Sequence, residues 1–156
     1  MEDLTFARAL HVAAIVHWIG GVSFVTLVLL PGVRRLAAPG DGARLFEKVE
    51  GAFSTQAKIS VTLAGLTGFY MTHRLGAWDR FLDLSMWWMH AMVAIWLVFT
   101  LVLFVFEPLF LHRWFAERAR HDPKGAMALA WRGHVALLTL SLVTVIAAVL
   151  GAHGAL

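Results

Sequence analysis

Four runs of apolar residues, each near the length of a membrane-crossing helix, constrain the fold of this chain more than any other feature. They cover about residues 6–30, 54–72, 86–106 and 134–155. A helix needs about 20 residues to cross a bilayer, and irregular backbone cannot face lipid. Charged residues make up only 15% of the chain, whereas a soluble domain carries roughly a quarter. The sequence therefore predicts an all-α fold: one membrane domain over residues 1–156, built as a four-transmembrane-helix bundle in a lipid bilayer.

The 13 Lys and Arg residues are unevenly distributed between the two sides of the predicted bundle. Ten lie in or beside the connections that follow the first and third runs, and three, Arg8, Arg74 and Arg80, lie toward the opposite side. Because cytoplasmic loops carry the excess of Lys and Arg, the two longer connections are predicted to be cytoplasmic and both termini to lie outside. This is the topology of a multi-pass protein of a bacterial-type inner (cytoplasmic) membrane. No basic face with interleaved aromatic residues is present, so nucleic-acid binding is not expected.

Helical periodicity continues beyond the apolar runs on the predicted cytoplasmic side. Apolar residues recur at helical spacing over 45–53, which predicts that the second helix begins before the membrane. The third helix is predicted to continue over 109–120, with a kink at Pro108 near the membrane surface. The fourth helix is predicted to begin at 127–131, before it enters the lipid.

Five of the eight histidines lie inside the apolar runs or at their ends. These are His11, His17, His73, His90 and His134. An ionisable ring in hydrocarbon is costly and is rarely kept without a compensating partner. Imidazole is a common ligand of haem iron and of transition metals. The chain has no cysteine, so thiolate metal sites, disulfides and iron–sulfur clusters are excluded.

Three of these histidines fall at a similar depth near the predicted outer surface, and each belongs to a different helix. They are His11, His73 and His90. A helix bundle can hold a cofactor between facing helices in this way. No set of Asp or Glu accompanies them, as a site for a hard cation would require. We predict haem b, with His11 and His90 as the axial ligands of the iron and His73 as an alternative ligand.

Other side chains near this cluster suit a macrocycle. Two aromatic and two basic residues are predicted to contact it, the aromatic ones by stacking and the basic ones by pairing with propionates. They are Trp18, Trp87, Arg8 and Arg74. Small residues at Gly20-Gly21, Gly65 and Gly68 either let helices approach closely or leave room for the flat ring.

Three polar residues lie deeper or toward the cytoplasmic side. His17 and His134 are candidate ligands for a second haem, since about 30 Å of hydrocarbon has room for two. His17 follows His11 by six residues, which turns it about 120° onto another helix face, so one haem is the main expectation. Glu107 is either a surface carboxylate or a group that serves protonation or a quinone headgroup.

Two segments resemble a known membrane family. Arg8–Val12 with Ile15–Gly21, an apolar–His segment followed by a His-Trp-Ile-Gly-Gly step, is similar to the first helix of HemJ-type protoporphyrinogen oxidases and CopD-like membrane domains. Trp87–Met92 resembles the third-helix segment of the HemJ type, and the similarity covers about the first two-thirds of the chain. The resemblance implies a four-helix fold that binds haem b through a first-helix histidine, which matches His11. The lysine of that family falls on Met92, so the resemblance implies haem binding more directly than porphyrinogen oxidation.

These observations predict a membrane b-type cytochrome that transfers electrons between a quinone pool and an external partner, such as a periplasmic redox subunit, or within a larger membrane complex. Assembly as a homo-oligomer is compatible with this function. One alternative is a copper-handling CopD-like protein that uses His and Met as soft ligands. The other alternative is an enzyme that oxidises a porphyrinogen.

Overall fold

Residues 2–156 are described by a computed structural model, apart from the side chains of Pro39 and Gly40. Over that range the chain is helical apart from short turns and has no strands, so the predicted all-α class is confirmed. The α-helices are α1 (Glu2–Phe24), α2 (Leu30–Leu36), α3 (Pro39–Arg74), α4 (Trp87–Leu101), α5 (His112–His121) and α6 (Pro123–Ala152). Two π-helical stretches, π1 (Val25–Leu29) and π2 (Val102–Leu111), and two short 3-10 helices, Asp79–Leu82 and Leu84–Met86, lie between them.

These elements form four helical rods. They span Glu2–Leu36, Pro39–Arg74, Leu84–His121 and Pro123–Ala152. Consecutive rods run in opposite directions. Asp3, at the start of the first rod, forms an ion pair with Arg74, at the end of the second. In the same way Trp88, near the start of the third rod, lies against Gly151, near the end of the fourth. We call this the terminal end of the bundle; the end at which the first rod turns into the second, and the third into the fourth, is the connection end.

Three of the rods, the first, third and fourth, are long and apolar enough to cross a membrane. The second rod, α3, is 36 residues long but more polar. Its Ser54, Ser60 and Thr67 are all buried, which shows that α3 turns hydroxyl groups toward other rods. Membrane-type helices therefore agree with three of the four predicted spans, whereas the crossing at 54–72 stays a prediction. The predicted helical extensions on the connection side are present in α3, α5 and α6.

The centre of the bundle is filled by buried apolar side chains from all four rods. Trp18, Val61, Phe99 and Leu138 are each at most 8% exposed and form one buried cluster. Trp18 meets Phe99 edge to face, with ring centroids 4.7 Å apart, a geometry that contributes about 0.5–1.5 kcal/mol beyond burial. All four rods thus share one core.

Glycines on the inner helix faces receive aromatic rings from neighbouring rods. A Cβ at Gly65 would lie 2.7 Å from the Trp96 ring, and the Trp96 indole N–H donates to the Val61 carbonyl at 2.9 Å. A Cβ at Gly21 would overlap the Phe53 ring. Of the two roles that the sequence allowed for small residues, close helix packing is therefore the one observed at these positions.

A large side chain at Gly21 is expected to destabilise the bundle, whereas one at Gly20 is not. Leucine at Gly21 must displace the Phe53 ring, and overpacking of this kind typically costs about 1–3 kcal/mol. Nothing lies within 4 Å of a Cβ built at Gly20, so Gly20→Leu is the matched control. Thermal unfolding of both variants in one detergent measures the difference; equal midpoints would contradict the packing described here.

The third rod changes geometry where a proline kink was predicted. Pro108 lies inside π2, and its ring nitrogen has no hydrogen to donate to the helix. The helix continues through this residue as a ten-residue π-helical stretch and then as α5. π-Helical turns are rare and occur often at functional sites. Here π2 carries Glu107, which is only 9% exposed.

Candidate functional site

His11 is held against α3 at the terminal end of the bundle. Its Nδ1 lies 2.9 Å from the Thr67 hydroxyl oxygen, which itself donates to the Leu63 carbonyl at 2.6 Å. Gly68 leaves space for the ring, because a Cβ there would lie 3.1 Å from His11 Cε1. The histidine is thus positioned by a hydroxyl group and a missing side chain on one turn of α3.

The same hydrogen bonds determine the tautomer of His11. The hydroxyl hydrogen of Thr67 is directed to a backbone carbonyl, so its oxygen accepts a hydrogen bond from His11 Nδ1–H. In the neutral ring the lone pair is then on Nε2. Histidines that bind metals usually donate their other ring N–H to a partner of this kind, which fixes the ring and raises its basicity. The donor chemistry of His11 fits an axial haem ligand.

His90, the second predicted ligand, has a different neighbour. Its Nε2 lies 2.9 Å from the backbone carbonyl oxygen of Phe81, and its ring meets the Phe81 ring edge to face. A carbonyl only accepts, so Nε2 carries the hydrogen and the lone pair is on Nδ1. Coordination through Nε2 therefore requires His90 to release Phe81 and turn. His11 is therefore bonded to α3, whereas His90 is bonded to the 3-10 helix that contains Phe81.

The other predicted residues of the outer cluster lie toward the surface of the terminal end. His73 is exposed in the last turn of α3. The adjacent Arg74 is bound to Asp3, to which its Nε and Nη2 donate at 2.9 and 2.7 Å. Arg8 is exposed. Of the two basic residues predicted to pair with propionates, Arg74 thus already pairs with a carboxylate.

The two predicted stacking residues have different environments. Trp18 is 3% exposed in the central core, and its indole N–H has no hydrogen-bond partner among the described residues. Trp87 is 47% exposed at the start of α4. Trp18 already packs on Phe99, so Trp87 is the one with a free ring surface.

Of the two candidates for a second haem, His17 has one ring nitrogen in a hydrogen bond, whereas both ring nitrogens of His134 face oxygen atoms. His17 Nδ1 lies 2.9 Å from the Ser60 hydroxyl, so His17 faces α3 just as His11 does, although its ring is otherwise exposed. His134 Nδ1 donates to the Ala130 carbonyl at 2.9 Å, and its Nε2 faces Glu50 Oε1 at 3.7 Å. Both ring nitrogens of His134 therefore face oxygen atoms of the protein.

Glu107 is a buried carboxylate within an ionic cluster, not a surface residue. Its Oε2 accepts from the Ser54 hydroxyl at 2.5 Å and lies 3.4 Å from Lys58 Nζ. Its Oε1 lies 3.3 Å from His112 Nε2. Glu107 and His112 are five residues apart, and the i to i+5 hydrogen bonding of a π-helix brings such residues to one face.

Sequence reasoning missed Glu50, Thr67 and Ser60. Glu50 reads as a solvated charge in a cytoplasmic helix, and the two hydroxyl groups read as ordinary helix-packing residues. One signal was available: Glu50, Ser54 and Lys58 follow at four-residue intervals, which places them on one face of α3 beside a membrane. The groups that this face contacts, Glu107 and His134, belong to the third and fourth rods, and spacing within α3 does not identify them.

The described residues, 2–156, contain no group of three or more His, Asp and Glu side chains arranged to hold a metal ion. A haem site, which needs only one or two histidines, is a different arrangement. No family model matches the chain, and neither the curated proteins nor the solved structures contain a match to it.

Proposed function

We propose that this protein is an integral membrane protein that binds haem b near the terminal end of its bundle and transfers electrons. The observation that supports the proposal best is the environment of His11: Thr67 fixes its Nδ1–H and so leaves the Nε2 lone pair for a ligand. An ionisable ring is costly in an apolar helix, and a histidine that donates one ring N–H to a fixed acceptor has the arrangement common among metal ligands. When bound, a b-type haem supplies a one-electron redox centre.

The residues of the chain would contribute orientation and exclusion of water. Thr67 holds the tautomer of His11, Gly68 lets the ring lie against α3, and the central core below separates the site from the connection end. His90 would serve as the second ligand after releasing Phe81, and His73 is the alternative. The proposal involves one haem, because His134 directs both ring nitrogens to oxygen atoms of the protein.

The membrane arrangement is part of the proposal. We infer four spans, with the terminal end outside and the connection end in the cytoplasm of a bacterial-type inner membrane, from the distribution of Lys and Arg. The electron partners would be a quinone pool and an external or membrane-bound redox subunit. Copper handling has less support, since Met86, Met89 and Met92 pack in an apolar cluster with Trp88.

The visible spectrum of the purified protein tests the proposal. We expect a red protein with a Soret band that shifts on reduction and with sharp α and β bands. A colourless protein that retains one copper per chain would support the copper-handling alternative, and porphyrinogen oxidation by a haem-bound protein would support the enzymatic one.

The hydrogen bond from His11 to Thr67 provides a finer prediction. Thr67→Val removes the acceptor but keeps the shape of the side chain, and it is expected to weaken haem retention about 10- to 100-fold. Thr67→Ser restores the hydroxyl and is the matched control, with retention near wild type. Haem titration of the apoprotein compares the three. Equal affinity of the valine and serine variants would show that Thr67 does not position the ligand.

A further inference from the structure

A second polar site lies at the connection end, apart from the histidines of the proposed haem. His134 of α6 places Nε2 3.7 Å from Glu50 Oε1 of α3. Its Nδ1 is committed to the Ala130 carbonyl, so Nε2 is the nitrogen that gains or loses a proton. Phe46 meets the His134 ring edge to face at 5.9 Å, which holds the ring in place. A carboxylate oxygen of Glu50 and a ring nitrogen of His134, both of which can accept a proton, therefore face each other.

Two further carboxylates act on Glu50, Glu47 of the same helix and Glu107 of π2. Glu107 is in turn in contact with Lys58 of α3 and His112 of α5. Glu107 has fixed partners, because Ser54 donates to it and Lys58 lies 3.4 Å away. Among the described residues, the ion-pair partner of Glu50 is the imidazole of His134. The negative charge of Glu107 also acts on Glu50 and favours its protonated form.

We propose that Glu50 and His134 form a proton-binding site that takes up one proton from the aqueous phase at the connection end and shares it between Oε1 and Nε2. Before uptake, Glu50 is a carboxylate and His134 a neutral imidazole. The added proton lies either on Glu50, as a carboxylic acid beside a neutral imidazole, or on His134, as an imidazolium beside a carboxylate. No electrons are transferred. The site does not depend on haem.

Exposure and electrostatics agree with this role. The Glu50 side chain is 31% exposed and the Glu107 side chain 11%, so Glu50 is the more accessible of the two carboxyl groups. Burial, and then the charges of Glu107 and Glu47, raise the pKa of Glu50 from 4.5 to about 7. A carboxyl group of this kind exchanges its proton near neutral pH, where an ordinary glutamate stays ionised.

Nuclear magnetic resonance of the full chain with ¹³C-labelled glutamate carboxyl groups tests the proposal. The chain has five glutamates, so each resonance can be assigned by one Glu→Gln variant. In the wild-type protein we expect one carboxyl group to titrate near pH 7, and Glu50→Gln to remove that titration. Glu50→Gln is also expected to change the imidazole resonance of His134, because the variant removes the carboxylate that faces Nε2.

Two further variants distinguish the site from simple burial of a carboxyl group. Glu107→Gln removes a negative charge and is expected to shift the Glu50 titration to lower pH. Glu117→Gln, at a side chain that is 60% exposed on α5, should leave it unchanged. The proposal is overturned if no carboxyl group of the wild-type protein titrates near neutral pH, or if Glu107→Gln leaves the Glu50 titration where it was. The first of these measurements needs no variant, so a folding defect in a variant cannot conceal the answer.

Discussion

Replacing His11 with alanine is expected to abolish haem retention or to turn the haem high-spin, and this is the largest effect that the proposed function predicts. The imidazole Nε2 is the proposed bond to the iron, so its loss should exceed the roughly 10- to 100-fold cost of losing an outer-shell partner. The purified variant should lack the Soret band or show a high-spin spectrum. Visible spectroscopy at equal protein concentration measures the loss.

His17→Ala is the matched control for this experiment. His17 lies on the same helix as His11, and each binds a hydroxyl group of α3 at 2.9 Å. Both variants therefore lose an equivalent hydrogen bond between the first two rods. Loss of haem from His11→Ala alone separates ligation from packing. Haem kept by His11→Ala but lost by His17→Ala would move the ligand to His17 and contradict the proposal.

Glu107→Ala should have the largest effect on stability. Removing one partner of a buried ion pair costs about 3–5 kcal/mol, and the partial exposure of Lys58 places this change near the lower limit, about 3 kcal/mol. The variant also leaves the Ser54 hydroxyl without its acceptor at a position where that residue is buried. Chemical unfolding in detergent measures the change in the free energy of unfolding.

Glu117→Ala provides the comparison within the same rod. Glu117 also has two partners, Arg120 at 3.2 Å and His121 at 3.0 Å, but its side chain is 60% exposed. Surface pairs of this kind contribute about 0.5 kcal/mol or less. If the two alanine variants have the same free energy of unfolding, the contacts of Glu107 with Ser54 and Lys58 do not stabilise the bundle as described here.

Much of the fold follows from hydropathy and periodicity alone. The predicted spans at 6–30 and 86–106 lie inside two of the apolar rods, and the span at 134–155 overlaps the fourth rod up to its end at Ala152. The second rod, α3, extends toward the connection end as the spacing of 45–53 indicates. These features are predictable because each depends on residues within one helix. The π-helical stretch around Pro108 was expected only as a kink, since a proline marks an interruption without specifying how the backbone accommodates it.

The contacts of the candidate sites were less predictable. His11 was identified because an ionisable ring in an apolar run needs a partner, but Thr67 lies 56 residues away on another rod. Helix spacing gives the face of a residue but not the rotation of its neighbour. Glu50 was overlooked for the same reason: Glu107 and His134, which make its environment unusual, come from the third and fourth rods.

A pyridine haemochrome assay on the purified wild-type protein tests the central claim most directly, since it identifies the haem type and counts haem per chain. We predict haem b at one per chain, held by His11. Two haems per chain would make His17 or His134 a ligand and contradict the single site. Folded protein that is purified from haem-sufficient cells without haem, and does not bind it when haem is added, would contradict the proposed function itself.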